Sequence, residues 1–223
     1  MPYDYQSLVT VVNPRSAVSE AYRVLRTNIQ FSSLDRRIRA LLVTSTSPEE
    51  GKSTVLANLA VTFAEAGNRV VLVDADLRRP SLHKLFGLSN QVGLTTAVLD
   101  EDGSLLPIQD TEVPNLRVLA SGPLPPNPAD LLSSQRMDRV TEALRAEADY
   151  LLYDSPPIVA VTDAAVLGRR LDGVLLVIDA GKTKRDHARR AKLLLEKVNA
   201  HLLGVVLNNA EFDSALYRYY AEQ

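Results

Sequence analysis

The chain is predicted to fold as an α/β domain with a mostly parallel central sheet flanked by helices, and three observations carry that expectation. The apolar run Ala40-Leu41-Leu42-Val43 feeds into Thr44 to Thr54, T-S-T-S-P-E-E-G-K-S-T, which opens a helix. A second apolar run, Arg69 to Val73, ends in Asp74-Ala75-Asp76, and a third, Tyr150 to Tyr153, ends in Asp154. Strand, loop, helix and strand in that order make a parallel unit.

Taken along the chain, the first dozen residues read as extended and partly apolar. Pro14 stands ahead of Ser16 to Phe31, whose Ala, Leu and Arg content suits a helix. Lys52 to Ala66 forms the next helix, stopped by Gly67-Asn68 before the acid-tipped second strand. Ser81 to Leu106 reads as short helices and turns, followed by a strand at Leu116 to Leu119. The stretch from Gly122 to Pro128, G-P-L-P-P-N-P, reads as a fixed loop or as a polyproline recognition segment, ahead of a helix starting near Ala129. Gly173 to Ile178 and Gly204 to Leu207 read as buried strands, with a basic helix from Lys184 to Ala200 between them. At least six strands are therefore expected.

Length and composition suit one folded domain. With 223 residues and 46% hydrophobic content the chain can bury one large core. Residues 1–210 are assigned to the domain and 211–223 to a tyrosine-bearing tail. A net charge of −2 and a pI near 6.0 supply no global basic field, so nucleic acid is not an expected partner. There is no cysteine, which removes disulfides, thiolate nucleophiles and cysteine metal sites. His83, His187 and His201 are scattered without metal-ligand spacing. No apolar run approaches the roughly 20 residues that span a bilayer, and no signal peptide is read, so a cytoplasmic protein is expected.

The chemistry concentrates around Gly51-Lys52-Ser53. A strand-to-helix turn aims free backbone N–H groups and the positive helix end at an anion, while a lysine reaches terminal phosphates and a serine ligates magnesium. A nucleoside triphosphate is the expected ligand. The other reading is an ordinary helix cap with Ser47 or Thr46 before Pro48. The loop departs from G-x-x-x-x-G-K-[ST] in carrying Thr46 at the first glycine, and Glu49 brings a carboxylate close to the phosphates. Asp74, Asp76 and Asp154 emerge at strand C-termini, the ligand edge of an open parallel sheet. Asp74 and Asp76, two apart, share a face, so one can hold metal while its neighbour handles a proton. Turn-forming or helix-capping aspartates are the alternative.

These segments resemble a family. The loop S-P-E-E-G-K-S-T, V-V-L-V-D-A-D-L-R-R-P and Y-L-L-Y-D-S-P-P are similar to the Walker A, A′ and B motifs of bacterial tyrosine kinases, whose fold is of the P-loop NTPase type. The likeness also takes in Glu20-x-x-Arg23-x-x-Arg26, N-P-A-D-L-L at 127–132 and the tyrosines Tyr217, Tyr219 and Tyr220. It implies an ATP- and Mg2+-dependent protein-tyrosine kinase that phosphorylates mainly its own C-terminal tail. It also implies a membrane-bound activator in exopolysaccharide production that recruits the chain to the inner face of the plasma membrane, a ring of identical subunits and a cognate tyrosine phosphatase.

Carried over residue by residue, the resemblance makes Lys52 the stabiliser of the transferring phosphoryl group and Ser53 the direct magnesium ligand. Glu50, Gly51 and Thr54 join them in holding the nucleotide, and Asp74 and Asp154 fix the metal and its waters. Asp76 takes the family's base position; its alternative is a helix cap before Leu77. A tyrosine hydroxyl, with a pKa of about 10, is a poor nucleophile at neutral pH, so a poised carboxylate has a purpose there. Asn208 resembles the adenine-reading residue, with Asn209 as substitute and a turn role for the pair as alternative. Asp163 matches a position near the active site, though Thr162-Asp163 also reads as a helix cap. Glu20, Arg23 and Arg26 take the subunit-joining role in place of a solvated stripe. The tail reads as a frayed acceptor or as a packed helix from Ser214 to Ala221.

Two rivals stay open. One is a partitioning or septum-positioning ATPase switch, weakened because Ser47 stands where such proteins carry a second loop lysine. The other is a nucleotide-binding assembly subunit with little kinase activity.

Overall fold

The structure is a computed structural model that describes residues 5–32 and 37–211. After a 3-10 turn at Tyr5–Ser7, helices α1 (Val9–Val12) and α2 (Ala17–Phe31) lead into β1 (Ala40–Ser45), α3 (Lys52–Glu65) and β2 (Val70–Asp74). Short helices α4 (Leu82–Leu85) and α5 (Leu94–Leu99) precede β3 (Gln109–Asp110) and β4 (Leu116–Leu119). Helices α6 (Pro128–Ser133) and α7 (Gln135–Glu147) lead to β5 (Tyr150–Asp154), and α8 (Asp163–Gly168), β6 (Gly173–Asp179), α9 (Arg185–Lys197) and β7 (Leu202–Asn208) complete the described chain.

The seven strands lie in the order β3-β4-β2-β5-β1-β6-β7. All neighbours run parallel except the two-residue β3 against β4. Because side chains alternate along a strand, the sheet feeds two cores. Leu41 and Val43 of β1 join Leu56, Leu59 and Phe63 of α3 on one face, while Ala40 and Leu42 join Leu144 of α7 and Leu167 of α8 on the other. β1 is buried at every position, as a central strand covered by helices on both sides must be.

The N-terminal segment corrects the extended reading. Val9, Val11 and Val12 are β-branched and favour an extended backbone, yet they lie in or beside a helical turn because tertiary contacts hold it. Leu8 is buried, and the Thr10 amide and hydroxyl both donate to Asn58 Oδ1 of α3, at 3.1 and 2.9 Å. The Thr10 amide lies in the first turn, where N–H groups lack helical partners, so Asn58 satisfies a donor the short helix cannot. The proline-rich stretch is a loop, and α6 starts with Pro128 at its first position, where a missing N–H is harmless.

Parallel pairing puts the C-terminal ends of β1, β2, β5, β6 and β7 on one edge, delivering Ser45, Asp74, Asp154, Asp179 and Asn208 there together.

Candidate active site

The loop between β1 and α3 wraps the start of a 14-residue helix. The first helical hydrogen bond is donated by Val55 to the Gly51 carbonyl at 2.8 Å, so the N–H groups of Lys52, Ser53 and Thr54 precede the ladder and face an incoming anion. Gly51 adopts φ +82°, which favours glycine, and a Cβ there would fall 2.3 Å from Asn208 Nδ2, so a side chain at 51 would displace the Asn208 amide from the loop.

Glu50 has a role the sequence did not disclose. Its buried carboxylate turns into the loop and accepts from the Thr46 amide (2.8 Å), the Thr46 hydroxyl (2.6 Å) and the Ser47 amide (3.1 Å). Thr183, in the turn between β6 and α9, donates to the same carboxylate at 2.5 Å. Thr46, standing where a glycine was expected, is thus a ligand of Glu50. The side chain braces the loop from within, and Glu50 does not line the neighbouring cavity. The pairing between positions four apart is within reach of sequence reasoning; Thr183, 133 residues on, is not. Glu49 is exposed with φ +65°, a left-handed conformation that glycine adopts more readily.

Lys52, Ser53, Asp76 and Asp154 converge. The Lys52 ammonium lies 3.1 Å from Asp76 Oδ2, 3.2 Å from Asp154 Oδ1 and 3.1 Å from Ser53 Oγ. Ser53 Oγ donates to Asp154 Oδ2 at 2.5 Å. Burial disfavours the Lys52 charge, but the Asp154 and Asp76 carboxylates outweigh it and hold the pKa above its ordinary value. Asp154 is itself pushed up by complete burial, against the pull of Lys52 and Ser53.

The segment after β2 organises the rest. Asp74 Oδ2 accepts the N–H groups of Ser81 (3.0 Å) and Leu82 (2.9 Å) at the start of α4, while Asp74 Oδ1 is buried with no hydrogen-bond partner among the described residues. Burial, with the nearby Asp154 charge, raises its pKa to about 7. Asp76 caps no helix, since the next one starts at Leu82: Oδ1 accepts the Arg79 amide of the loop at 2.9 Å, and Oδ2 faces Lys52. Asp163 is no helix cap. Its buried carboxylate takes Arg78 in a two-pronged pair, at 2.8 and 3.0 Å, tying α8 to this segment. Arg78 and Arg79 were visible in the motif but not assigned; both line a cavity of about 450 Å³ fronted by Gly51, Lys52, Thr54 and Asp76.

Asn208 stands at the end of β7 and donates through Nδ2 to the Glu50 carbonyl at 3.0 Å, so it buttresses the loop and keeps one amide hydrogen for other use. Asn209 has φ +56° and donates to Asp179 at 3.0 Å, the turn role. Glu20, Arg23 and Arg26 do not form a free solvated stripe. Arg26 donates to the Thr62 carbonyl of α3 at 2.6 Å, and Arg23 to the Pro14 carbonyl at 2.7 Å and to Glu20 at 3.1 Å. Tyr217, Tyr219 and Tyr220 lie outside the described residues.

The donor set fits a hard divalent cation. Ser53, Asp74 and Asp154 offer oxygens only, and Asp74, in register with Asp154 on the neighbouring strand, keeps Oδ1 as an orphaned buried acceptor. Among the described residues no three acidic or histidine side chains make an all-protein metal cage. Magnesium at a phosphate loop needs none, since phosphates and waters complete its shell.

Residues 38–216 match the family described as ParA, NUBPL iron-transfer P-loop NTPase. The chain is 44% identical over 216 residues to the tyrosine-protein kinase YwqD of Bacillus subtilis (strain 168), covering 96% of this chain and 91% of that protein. Its fold superposes on the crystal structure of the chimerical protein CapA2B2 with a TM-score of 0.86 and 37% identity, over 93% of this chain and 91% of that one. The kinase domain of Escherichia coli tyrosine kinase ETK gives a TM-score of 0.84 at 32% identity, over 92% of this chain and 82% of that one. The loop, the acid-tipped strands and these likenesses agree: the chain belongs to the bacterial tyrosine-protein kinases, within the P-loop NTPases, which bind a nucleotide together with a metal ion.

Proposed function

We propose that this kinase moves the γ-phosphoryl group of ATP, with Mg2+, to tyrosines of its own C-terminal cluster, Tyr217, Tyr219 and Tyr220. The observation that carries this reading is the Lys52–Asp76–Asp154–Ser53 cluster at the mouth of the phosphate loop. Lys52 neutralises Asp76 in this structure. A terminal phosphate that draws the ammonium toward itself frees Asp76 to accept a proton, so the base is unmasked when nucleotide is present. The tyrosine oxygen then attacks the γ-phosphorus, the bond to the bridging oxygen breaks, ADP leaves and the proton passes to Asp76. Ser53, with Asp74 and Asp154, would hold the magnesium ion, which supplies positive charge across the phosphates when bound. Asn208 is assigned to the adenine, through its remaining amide hydrogen.

Resemblance supports a wider setting: a ring of identical subunits joined through Glu20, Arg23 and Arg26, a membrane-bound activator, a tyrosine phosphatase that resets the tail, and a role in exopolysaccharide synthesis or export. No helix among the described residues is long and apolar enough to cross a membrane. An activator is therefore the proposed route to the inner face of the plasma membrane. Incubation of the chain with ATP and magnesium, followed by intact mass and phosphopeptide mapping, tests the reaction. Tail phosphate is the expected result, lost in Lys52→Met. Phosphate release without modification would transfer the protein to the ATPase-switch class, and neither product would leave an assembly subunit.

A further inference from the structure

Beside the nucleotide cavity, and sharing Arg78, Arg79 and Ser81 with it, lies a larger groove of about 640 Å³. Among the described residues no acidic side chain lines it. Arg78 is neutralised by Asp163, but Arg79 and Lys84, both exposed and both lining the groove, make no ion pair among the described residues. The same groove carries an apolar shelf, Pro80 next to Arg79 and the pair Pro123 and Leu124, with Leu124 59% exposed. That wall is rigid: Asn90 accepts from the Gly122 amide at 2.9 Å and donates to the Gly122 carbonyl at 3.1 Å. Gly93 packs against the same strand end so closely that a Cβ there would fall 2.1 Å from the Ala120 carbonyl oxygen.

We propose that this groove is a phosphotyrosine subsite of the acceptor segment, so that one modified tyrosine of the tail helps seat the next. The inference rests on the kinase reading above. Two unpaired cations suit any anion, but a carboxylate on a short side chain has no use for the shelf. An aryl phosphate uses both halves: the ring lies on the prolines and Leu124 while the phosphate meets Arg79 and Lys84. The sequence supplies such a ligand in Tyr217-Arg218-Tyr219-Tyr220. In an extended chain, residues two apart share a face and stand about 7 Å from each other. A tyrosine at Asp76 therefore places its second neighbour toward the adjoining groove, with Arg79 common to both cavities. Phosphorylation of Tyr217 would then favour Tyr219.

The test measures binding without turnover. Full-length, phosphatase-treated protein is saturated with magnesium and a non-hydrolysable ATP analogue. Fluorescence anisotropy then follows peptides of residues 211–223, unmodified, phosphorylated at Tyr217, or carrying Tyr217→Glu. The phosphorylated peptide should bind about tenfold more tightly than the unmodified one. Phenyl phosphate should displace it at concentrations where inorganic phosphate does not. Lys84→Glu should remove the gain while leaving nucleotide affinity unchanged, and Arg79→Ala should reduce it. Equal affinity of all peptides, an equal gain from Tyr217→Glu, or a gain that survives Lys84→Glu overturns the proposal. Loss of peptide binding on adding the analogue also overturns it, because the phosphate would then have occupied the nucleotide cavity. Failure of the kinase reading is seen separately, as absence of tail phosphate in the turnover experiment.

Discussion

At the residue scale, the site turns on carboxylates that do two jobs each. Asp76 fixes the loop through one oxygen and faces Lys52 with the other, so replacing it by asparagine keeps the Arg79 amide bond and removes the basicity. Asp76→Asn should lower tyrosine transfer by about 10²–10⁴-fold while nucleotide affinity, read by titration calorimetry, changes far less. Equal losses in both would assign Asp76 to the metal instead. Glu49 offers the opposite kind of test. It carries a left-handed backbone conformation, which glycine adopts without strain, and an exposed carboxylate at the cavity rim, which glycine removes. Glu49→Gly should raise stability by up to about 1 kcal/mol and tighten nucleotide binding by removing a like charge near polyphosphate. Calorimetry on both forms decides it; unchanged or weaker binding would mean that the Glu49 carboxylate turns outward or reaches the metal.

At the element scale, the edge of the sheet opposite the site is locked by Asp172. Its buried carboxylate accepts the amides of Arg39 (2.9 Å) and Ala40 (2.8 Å) at the start of β1 and a two-pronged pair from Arg145 of α7, both at 3.1 Å. Burial alone would raise its pKa, but Arg145 and the two amides overcome that and hold it below the ordinary value. A carboxyl depressed by folding stabilises above its unfolded pKa, and loses that contribution as pH falls through the folded one. Asp172→Asn should therefore cost about 1.5–3 kcal/mol at pH 7 and progressively less below pH about 3.9, as measured by urea unfolding across pH. A cost independent of pH would show that packing, not charge, is what Asp172 provides. The parallel sheet and phosphate loop were legible in the sequence because β1, β2 and β5 announce themselves by apolar runs that end in a motif or an acid. What escaped depends on distant partners: α1 on Asn58, the Glu50 brace on Thr183, and the Arg78 pair on Asp163. Two-residue β3 has too few side chains to make a periodic signal.

At the scale of the whole molecule, the question is whose site receives the tail. β7 ends beside the phosphate loop, with Asn208 on Glu50, and the described chain runs only to Glu211. From Asn209 to Tyr219 an extended chain covers at most about 35 Å, so reach permits either its own site or a neighbour's. We expect transfer to the neighbour. A tail that starts beside its own nucleotide would have to reverse to bring a hydroxyl in line with that γ-phosphate, whereas the proposed adjoining subunit could receive it extended. Each phosphate adds about −1.5 to −2 charges, on a chain whose formal net charge is −2. Several in one contact repel, so the modified assembly should loosen. Mixing an active chain truncated after Asn209 with a full-length Lys52→Met chain tests both steps, because only the inactive partner carries the tail tyrosines Tyr217, Tyr219 and Tyr220. Phosphotyrosine on that partner, with a fall in scattering mass, is the expected outcome. If the inactive chain stays unmodified while intact wild type still labels itself, transfer runs within one chain; if it is modified and the mass holds, the charge does not drive release.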